Sequence, residues 1–352
     1  MGGMARALAA SGHEALVLAD HIRGQGLIEL DWPAGVVLRR FGGARPLRRL
    51  RKGWAAHRAL TRMPVRAVVA DSWKSLEVLP RPPVPSLVLA HGSEFPPSPS
   101  ASKRRRIERA LSGAGAIAPN SAFTEGLLRP YLTPAAPRPV VVHLPIPPQP
   151  DPPPEARAMV AGLRGEGPLL LTVARLEPRK GIDAVIRALP SLAAEHPGLR
   201  YAIAGEGEDR ARLASLAREV GVAERVRFLG RVDDATKAAL YAGADLFAMP
   251  TRREGASVEG YGLVYLEAGW YGLPSLAGRD GGSAEAVQDG ETGLVRNGAD
   301  PAAVAEALGR LLGDEALRRR LGAAAAARVR RDLGWEAVLP RYLALLGLSP
   351  GG

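Results

Sequence analysis

The second half of the chain alternates short apolar runs with amphipathic stretches of helical periodicity, and this alternation is the strongest constraint on the fold. Apolar runs of that length predict buried strands, and the amphipathic stretches predict helices. Strands that alternate with helices form parallel sheets covered on both faces, so this half is expected to be a Rossmann-like α/β domain. The predicted strands span 169–174, 201–205, 226–229 and 246–250, and the predicted helices span 182–195, 208–220, 235–242, 262–272, 301–312, 315–332 and 335–346.

The first half alternates in the same way but less regularly. A helix is predicted at 5–10, and strands are predicted at 15–19, 37–38, 67–70, 86–90 and 116–119. The chain therefore opens on a helix, whereas a doubly wound domain usually begins with a strand. We expect either a shortened N-terminus or another element in place of that strand.

A proline-dense segment at 134–154 separates the two halves. Because proline donates no backbone hydrogen bond and fixes φ, extended structure is expected there, apart from a short strand at 140–142. A chain of 352 residues is long enough for two domains. We therefore predict an N-terminal domain at 1–150, a C-terminal domain at 151–334 and a terminal segment at 335–352.

The composition excludes several classes of protein. Hydrophobic residues make up 46% of the chain and charged residues 24%, which is typical of a globular protein rather than a disordered one. There is no cysteine, so disulfides, thiolate metal sites and a cysteine nucleophile are excluded. No stretch is long and apolar enough for a transmembrane helix, and no secretory signal pattern precedes the first helix.

The net charge of +11 is confined to the first half, where 21 Lys and Arg face 9 Asp and Glu. It is concentrated in the runs Arg39–Arg66 and Lys103–Arg109, which are interpreted as helices with one apolar stripe and one basic face. Such faces are either solvated surface or attracted to anionic lipid. Nucleic-acid binding is not expected, because the runs lack a recognisable reading motif.

Two cations follow the first predicted strand of the second half. Arg175 and Lys180 are five positions apart across a turn that contains Pro178, and a predicted helix begins directly afterwards. Ligands of open parallel sheets bind where strands end and helices begin. The pair could therefore converge on a phosphate group, or it could be a charged surface turn.

The loop after the strand 246–250 carries two carboxylates and a glycine-rich turn. Glu259 lies in the loop, Gly260 and Gly262 follow, and Glu267 lies inside the predicted helix among apolar neighbours. Ionised carboxylates accept hydrogen bonds from vicinal hydroxyls, as in sugars or ribose. The apolar neighbours make an idle surface role for Glu267 less favoured than a binding role.

These segments together resemble family 4 of the retaining glycosyltransferases, also called group 1. The resemblance rests on the R-x4-K pair, the Gly205 turn, the strand 225–230, the E-x7-E spacing of Glu259 and Glu267, and the segment 281–294, in the family's order. It is close over about 165–345 and looser in the first half. It implies the GT-B fold, with two Rossmann-like domains facing a cleft and a C-terminal helix that returns to the first domain.

The resemblance also implies a role for each matching residue. Arg175 and Lys180 would neutralise the donor diphosphate, Glu267 would hold the nucleotide ribose, and Glu259 would lie near the hydroxyls of the transferred sugar. His91 in the first half would face that sugar, although a lone histidine is more often structural. Further donor contacts fall on Gly205, Phe228, Leu229, Gly260, Tyr261, Gly262 and Leu263, with Ser121 as a weaker candidate.

The expected activity is transfer of a hexose, mannose or glucose, from GDP-mannose or UDP-glucose to a lipid-linked or polysaccharide acceptor. No metal or other cofactor is expected, and the chain has no convincing D-x-D motif. A cytoplasmic location at the inner membrane face follows from the basic helices. The alternative is a catalytically silent nucleotide-sugar or membrane-surface binding protein, which a truncated N-terminus would favour. A dehydrogenase is not expected, because no G-x-G-x-x-G follows a strand with an acidic residue downstream.

Overall fold

The computed structural model describes residues 2–21, 32–79 and 81–349. It divides the chain into two compact units, one formed by 1–145 with 335–352 and the other by 146–334. The division lies within the proline-dense segment, a few residues before position 150. None of the helices in the three described ranges is long and apolar enough to cross a membrane.

The described residues of the first unit form two parallel sheets. One pairs β1 (Ala15–Asp20) with β2 (Val36–Phe41), and the other has the order β3 (Val68–Ala70), β4 (Ser86–Ala90), β5 (Ala116–Pro119). Strand β4 is buried along its whole length, which agrees with the four apolar residues that follow Ser86. The helices are α1 (Gly2–Ala10), α2 (Arg45–Arg62), α3 (Trp73–Leu76), α4 (Ala101–Ser112) and α5 (Ala122–Leu128).

The first basic run is not entirely helical, contrary to the prediction. Arg39 and Arg40 lie in β2, and helix α2 begins only at Arg45, where Pro46 occupies its first turn. Proline is tolerated at that position because the first N–H groups of a helix have no partner within it. The second basic run lies in α4, whose first turn is capped by Ser100.

The predicted strand at 140–142 is not formed in the described structure. Val140 and Val142 donate backbone hydrogen bonds to Ile117 O and Pro119 O, both at 3.0 Å, so the segment runs beside β5 without joining the sheet. The prolines at 137 and 139 remove donors that a ladder would need.

The second unit is built on one parallel sheet of six strands in the order β11-β10-β9-β6-β7-β8. The strands are β6 (Leu169–Val173), β7 (Arg200–Ala204), β8 (Val226–Gly230), β9 (Leu246–Met249), β10 (Ser275–Gly278) and β11 (Gly293–Arg296). The helices are α6 (Pro154–Arg164), α7 (Ile182–Glu195), α8 (Arg210–Glu219), α9 (Asp234–Gly243), α10 (Leu263–Trp270), α11 (Ser283–Ala286), α12 (Pro301–Gly313) and α13 (Glu315–Asp332).

Helix α7 shows why this unit folds as the sequence predicts. Its buried residues recur at helical spacing, and they form one core with Leu170 of β6, Tyr201 of β7 and Leu308 of α12. Burying a side chain of this size contributes about 1.5–3 kcal/mol. Helix α6 was not predicted, because it begins at Pro154 inside the segment whose prolines predicted extended structure.

The last helix, α14 (Trp335–Leu345), belongs to the first unit. Its residues Val338 and Tyr342 share a core cluster with Met4 of α1 and Leu87 of β4. Gly3 of α1 lies directly against the ring of Trp335, since a Cβ at Gly3 would come within 2.7 Å of it. Helices α1 and α14 are therefore packed together within one unit.

Candidate active site

The strand order of the second unit reverses between β6 and β9. From β6 the sheet continues to β7 and β8 on one side, and from β9 to β10 and β11 on the other. Loops leave such a pair of neighbouring strands in opposite directions, and the crevice at their carboxyl ends is where open α/β sheets bind ligands. The loop after β6 carries Arg175 and Lys180, and the loop after β9 carries Glu259. The topology therefore brings the predicted residues of both loops to one place.

Lys180 and Glu259 form a buried ion pair at this switch point. The Nζ atom of Lys180 lies 2.5 Å from Oε2 of Glu259, and the two side chains are only 10% and 15% exposed. Burial raises the pKa of the Glu259 carboxyl, but Lys180 and Arg179 outweigh that effect, so the pKa lies below its ordinary value. Burial lowers the pKa of the Lys180 ammonium, and Glu259 opposes part of that shift. Both groups are held close to other charges, as expected of a functional site.

Arg179, which the sequence analysis missed, is the second cation on Glu259. Its Nη1 atom donates to Glu259 Oε2 at 2.8 Å, and its Nε atom donates to Glu177 Oε2 at 2.9 Å. The predicted residue Arg175 pairs with Glu177 Oε1 at 2.7 Å and is 73% exposed. The sequence signal for Arg179 was its position next to Lys180. That signal is weak, because the side chains of consecutive residues usually point in different directions.

The backbone of Glu259 is fixed by the loop after β10. The N–H of Gly282 donates to the carbonyl oxygen of Glu259 at 2.9 Å. Gly281 has a φ of +78°, and a Cβ at this position would come within 2.1 Å of the same oxygen. Only glycine fits such a close approach without moving the neighbouring chain. The glycine-rich segment that begins at 281 therefore holds the backbone from which the Glu259 carboxylate extends.

Glu267 is held by two residues of α9. Its Oε2 atom accepts a hydrogen bond from the Tyr241 hydroxyl at 3.0 Å, and its Oε1 atom lies 3.6 Å from Lys237 Nζ. Burial, and then the nearby Glu267 charge, raise the pKa of Tyr241 well above its ordinary value, so the hydroxyl stays a donor. The Tyr241 ring stacks on Tyr271 with centroids 6.1 Å apart. Neither Tyr241 nor Lys237 was predicted as a site residue.

The residues between the two carboxylates lead into α10. Gly260 follows Glu259 directly, Tyr261 is buried, and Gly262 is the N-cap with a φ of +92°. Leu263 is the first helical residue and stays 38% exposed. The backbone N–H groups of a first helical turn have no partner within the helix, so this turn offers donors to an anionic ligand.

The predicted base-binding residues lie at the carboxyl end of β8. Phe228 packs partly against the core and has the Arg210 guanidinium 5.7 Å from its ring centroid, and Leu229 is half-buried beside it. Gly205 follows β7, and its N–H donates to Gly230 O at 2.7 Å. These residues therefore line the neighbouring strand ends, on the β7–β8 side of the switch point.

The two candidates of the first unit also follow strands. His91 comes directly after β4, and its backbone N–H donates to Oε1 of the buried Glu94 at 2.8 Å. Ser121 follows β5 and is fully buried, and its hydroxyl caps α5 by accepting from Thr124 N at 3.0 Å. Capping gives this hydroxyl a structural function whatever else it contacts.

Two family models match the chain in succession. The model described as Glycosyltransferase Family 4 matches residues 2–150, and the model described as Glycosyl transferases group 1 matches residues 157–328. The chain belongs to the group 1 glycosyltransferases. The family predicted from the sequence is thereby confirmed.

Curated relatives of this group 1 chain include mannosyltransferases. A GDP-mannose-dependent alpha-(1-6)-phosphatidylinositol monomannoside mannosyltransferase of Mycolicibacterium smegmatis is 39% identical over 241 residues, which cover 66% of this chain and 62% of the relative. A D-inositol 3-phosphate glycosyltransferase of Thermomonospora curvata is 39% identical over 191 residues, covering 52% of this chain and 43% of the relative. The matches thus span about two fifths to three fifths of the relatives' length.

Solved structures confirm the expected GT-B fold. Sucrose-phosphate synthase from Thermosynechococcus elongatus superposes with a TM-score of 0.78 at 23% identity, covering 97% of this chain and 90% of that one. Anabaena HepE in complex with UDP superposes with a TM-score of 0.76 at 17% identity, covering 94% and 99%. The two Rossmann-like domains predicted from the strand and helix pattern are therefore present.

Proposed function

We propose that this chain is a retaining hexosyltransferase that moves a sugar from a nucleoside-diphosphate donor to a hydroxyl of a lipid-linked or glycan acceptor. The observation that carries the proposal is the cluster of Lys180, Arg179 and Glu259 at the switch point of the six-stranded sheet. Glu267 lies inside α10, the helix that follows the loop of Glu259. Cations for a diphosphate and carboxylates for hydroxyls are the groups that such a donor needs.

The proposed chemistry follows from where charge develops. When the bond between the anomeric carbon and the diphosphate breaks, negative charge grows on the leaving oxygen, and the Lys180 ammonium stabilises it. The exposed guanidinium of Arg175 contributes to binding the same diphosphate. Glu259 accepts from hydroxyls of the transferred sugar, and Glu267 accepts from those of the ribose.

We propose that cationic side chains, rather than a metal ion, neutralise the diphosphate. The support is the presence of two cations after the carboxyl end of β6, Arg175 with an exposed guanidinium and Lys180 with a buried ammonium against Glu259. Nucleotide release that is unchanged by EDTA is the expected result. A loss of activity that Mg²⁺ or Mn²⁺ restores would contradict this part of the proposal.

GDP-mannose is the first donor to test, since the mannosyltransferase relatives are described as dependent on it. UDP-glucose is the second, because Anabaena HepE is described in complex with UDP-glucose. The relatives named for phosphatidylinositol monomannoside support a lipid-linked acceptor over a soluble glycan. The base pocket at Phe228 and Leu229 is where the two donors would be distinguished.

An anionic membrane surface is the proposed location of the first unit. Helix α2 turns Leu47, Leu50 and Trp54 outward, with Leu50 71% and Trp54 65% exposed, and Arg51 and Arg58 lie on the same exposed side. Apolar and basic side chains exposed on one helix face suit the interface of an anionic lipid bilayer. The protein would thereby meet a lipid-linked acceptor at the cytoplasmic face of the membrane.

One carboxylate joins the two basic helices. Glu77 accepts from Arg49 of α2 and from Arg106 of α4, with Arg106 Nε at 2.5 Å and Nη2 at 2.8 Å. Hydrogen bonds from Arg106 and Arg49 outweigh partial burial, so the pKa of Glu77 lies below its ordinary value. The cations of α2 and α4 are thus held as one surface, which supports binding to a bilayer rather than to a small ligand.

The decisive experiment incubates the full chain with GDP-mannose, UDP-glucose and related donors and measures nucleotide release, with a phosphatidylinositol mannoside as acceptor. We expect the wild type to release nucleotide from one of these donors. The Lys180→Ala and Glu267→Ala variants should lose this release, and Arg319→Ala should keep it. Arg319 is an exposed cation on α13 and serves as the control. Calorimetric binding of a donor without release would instead favour a catalytically silent binding protein.

A further inference from the structure

Arg179 is fixed at both its side chain and its backbone. The side chain is 11% exposed and bridges Glu177 and Glu259. The carbonyl oxygen of Arg179 accepts a hydrogen bond from the backbone N–H of Arg252 at 2.9 Å. The Arg252 guanidinium in turn donates hydrogen bonds from its two terminal nitrogens to the carboxylate oxygens of Asp183, at 2.8 and 3.1 Å. The position of the Arg179 guanidinium is therefore determined by the loop after β9 as well as by the turn that contains Arg179.

Arg179 and Lys180 contact the same oxygen, Oε2 of Glu259. An ammonium is a compact point charge that can turn about its stem, whereas a guanidinium is planar and presents its donors in a fixed fork. With one atom of that fork on Glu177 and another on Glu259, Arg179 defines the direction of the Glu259 carboxylate. Lys180 alone would supply charge without defining that direction.

We propose that Arg179 is a positioning residue for sugar transfer, which together with Lys180 orients the Glu259 carboxylate and keeps it anionic. The inference rests on the proposed function, since it assigns Arg179 to the site that would bind the transferred sugar. It separates the roles of two arginines. Arg175 remains exposed for the diphosphate, whereas Arg179 acts only through Glu259 and has no direct contact with donor.

The charged groups around Glu259 give this role a measurable consequence. Lys180 and Arg179 face the carboxylate from the turn before α7, Glu177 lies behind Arg179, and Tyr265 faces it from α10. Burial raises the pKa of Glu259, and the two cations lower it. Without Arg179 only Lys180 opposes burial, so the pKa rises. If turnover needs the ionised carboxylate, the acid limb of the rate profile then moves to higher pH.

The kinetic test compares Arg179→Gln and Arg179→Lys with Arg175→Gln and the control Arg319→Gln, using nucleotide release across pH. We expect Arg179→Gln to lower kcat by about tenfold to a hundredfold with little change in donor KM, and to move the acid limb to higher pH. Arg179→Lys keeps the charge and loses the fork, so it should keep the wild-type limb and recover part of kcat. Arg175→Gln should raise donor KM and leave the limb in place, and Arg319→Gln should change nothing.

An unchanged limb and kcat in Arg179→Gln would overturn the proposal, as would a pure increase in donor KM. Thermal melting checks that the variants fold. If Arg179→Gln does not fold, Arg179→Lys decides, because a wild-type kcat in that variant contradicts an orienting role.

A titration that needs no turnover separates this inference from the proposed function. The full chain is labelled with ¹³C at the glutamate side-chain carboxyl, and the Glu259 signal is assigned from its loss in Glu259→Gln. The titration midpoint of Glu259 should be higher in Arg179→Gln than in the wild type. Equal midpoints would refute the pairing of Arg179 with Glu259, whereas a shifted midpoint in a chain that releases no nucleotide would refute only the transferase assignment.

Discussion

The two units use their positive charges in opposite ways. On α2 and α4 of the first unit, cations such as Arg51, Arg58 and Arg105 are exposed and spread over a wide face. In the second unit Lys180 is buried and the Arg179 side chain is 11% exposed, and each contacts a carboxylate. An exposed, distributed charge attracts a large anionic surface, whereas a buried pair can act on one ligand group. The overall excess of +11 therefore says nothing about the site.

The largest expected effect is that of Lys180→Ala. It should lower nucleotide release by about a hundredfold to a thousandfold, because a preorganised cation stabilises the leaving diphosphate. It should also lower the free energy of unfolding by about 3 kcal/mol, since Glu259 stays buried with one cation fewer. Urea unfolding and nucleotide release measure the two effects. Binding to anionic vesicles should stay at the wild-type level, and a parallel loss there would erase the distinction between the units.

The reciprocal variant removes three exposed cations of α2 at once, Arg51, Arg58 and Arg62, each replaced by glutamine. Each charge near an anionic bilayer contributes about 1 kcal/mol, so partitioning onto vesicles that contain phosphatidylserine should fall by roughly a hundredfold. Hydrolysis of a soluble donor should be unaffected. Cosedimentation with the vesicles is the measurement, and neutral phosphatidylcholine vesicles are the control. Equal binding of variant and wild type would refute the membrane face.

The role of Gly281 in placing the backbone of Glu259 is tested by Gly281→Ala. The new Cβ would meet the Glu259 carbonyl oxygen, and the φ of +78° disfavours alanine. We expect a loss of about 2 kcal/mol in the free energy of unfolding, measured in urea, with a loss of nucleotide release. Gly290→Ala is the matched control, because Gly290 has a φ of +75° and no atom within 4 Å of a Cβ. It should cost about 1 kcal/mol and keep activity; equal losses would show that Gly281 does not position Glu259.

The smallest effect concerns Asp183, which supports Arg179 through Arg252. Burial raises the pKa of Asp183, and Arg252 and Arg212 outweigh it, so the pKa lies below the ordinary value of 3.8. A depressed carboxyl pKa adds stability above the unfolded pKa that disappears as pH falls through the folded one. Asp183→Asn should therefore cost about 2 kcal/mol at pH 7, and the difference from wild type should shrink as pH falls below the ordinary pKa of 3.8 and through the lower pKa of the folded state. Asp234→Asn, whose side chain is 93% exposed, is the control and should change stability by less than about 0.5 kcal/mol.

Most of the second unit could be predicted, although strands β10 and β11 and helix α6 were not among the predicted elements. Helices at 182–195 and 315–332 have the limits that periodicity predicted, because their apolar residues face one large core. Glu259 and Lys180 were also predicted as site residues from the sequence, since each follows a strand and the strands of a parallel sheet end on one side. What spacing could not give was the strand order, and only that order shows that their loops meet.

The first unit was harder to predict because its elements bury less. Helix α2 has Ala59 as its one buried residue among those described, so its apolar positions predicted an inward stripe where the structure places an exposed one. Arg179, Tyr241 and Lys237 were missed for another reason. They act on Glu259 and Glu267 through contacts between segments distant in sequence, and such contacts leave no periodic signal.

The exposed tryptophan of α2 allows the proposed membrane contact to be tested without a label. Trp54 is 65% exposed, whereas Trp73 in the core of the same unit is 1% exposed. Indole emission moves to shorter wavelength when the ring leaves water, so transfer of Trp54 into the headgroup region should shift the fluorescence spectrum to the blue. Brominated acyl chains should quench that part of the emission. A Trp54→Phe variant that shows neither the shift nor the quenching would assign both signals to Trp54. The extent of quenching in the wild type would then report the depth of this ring in the bilayer.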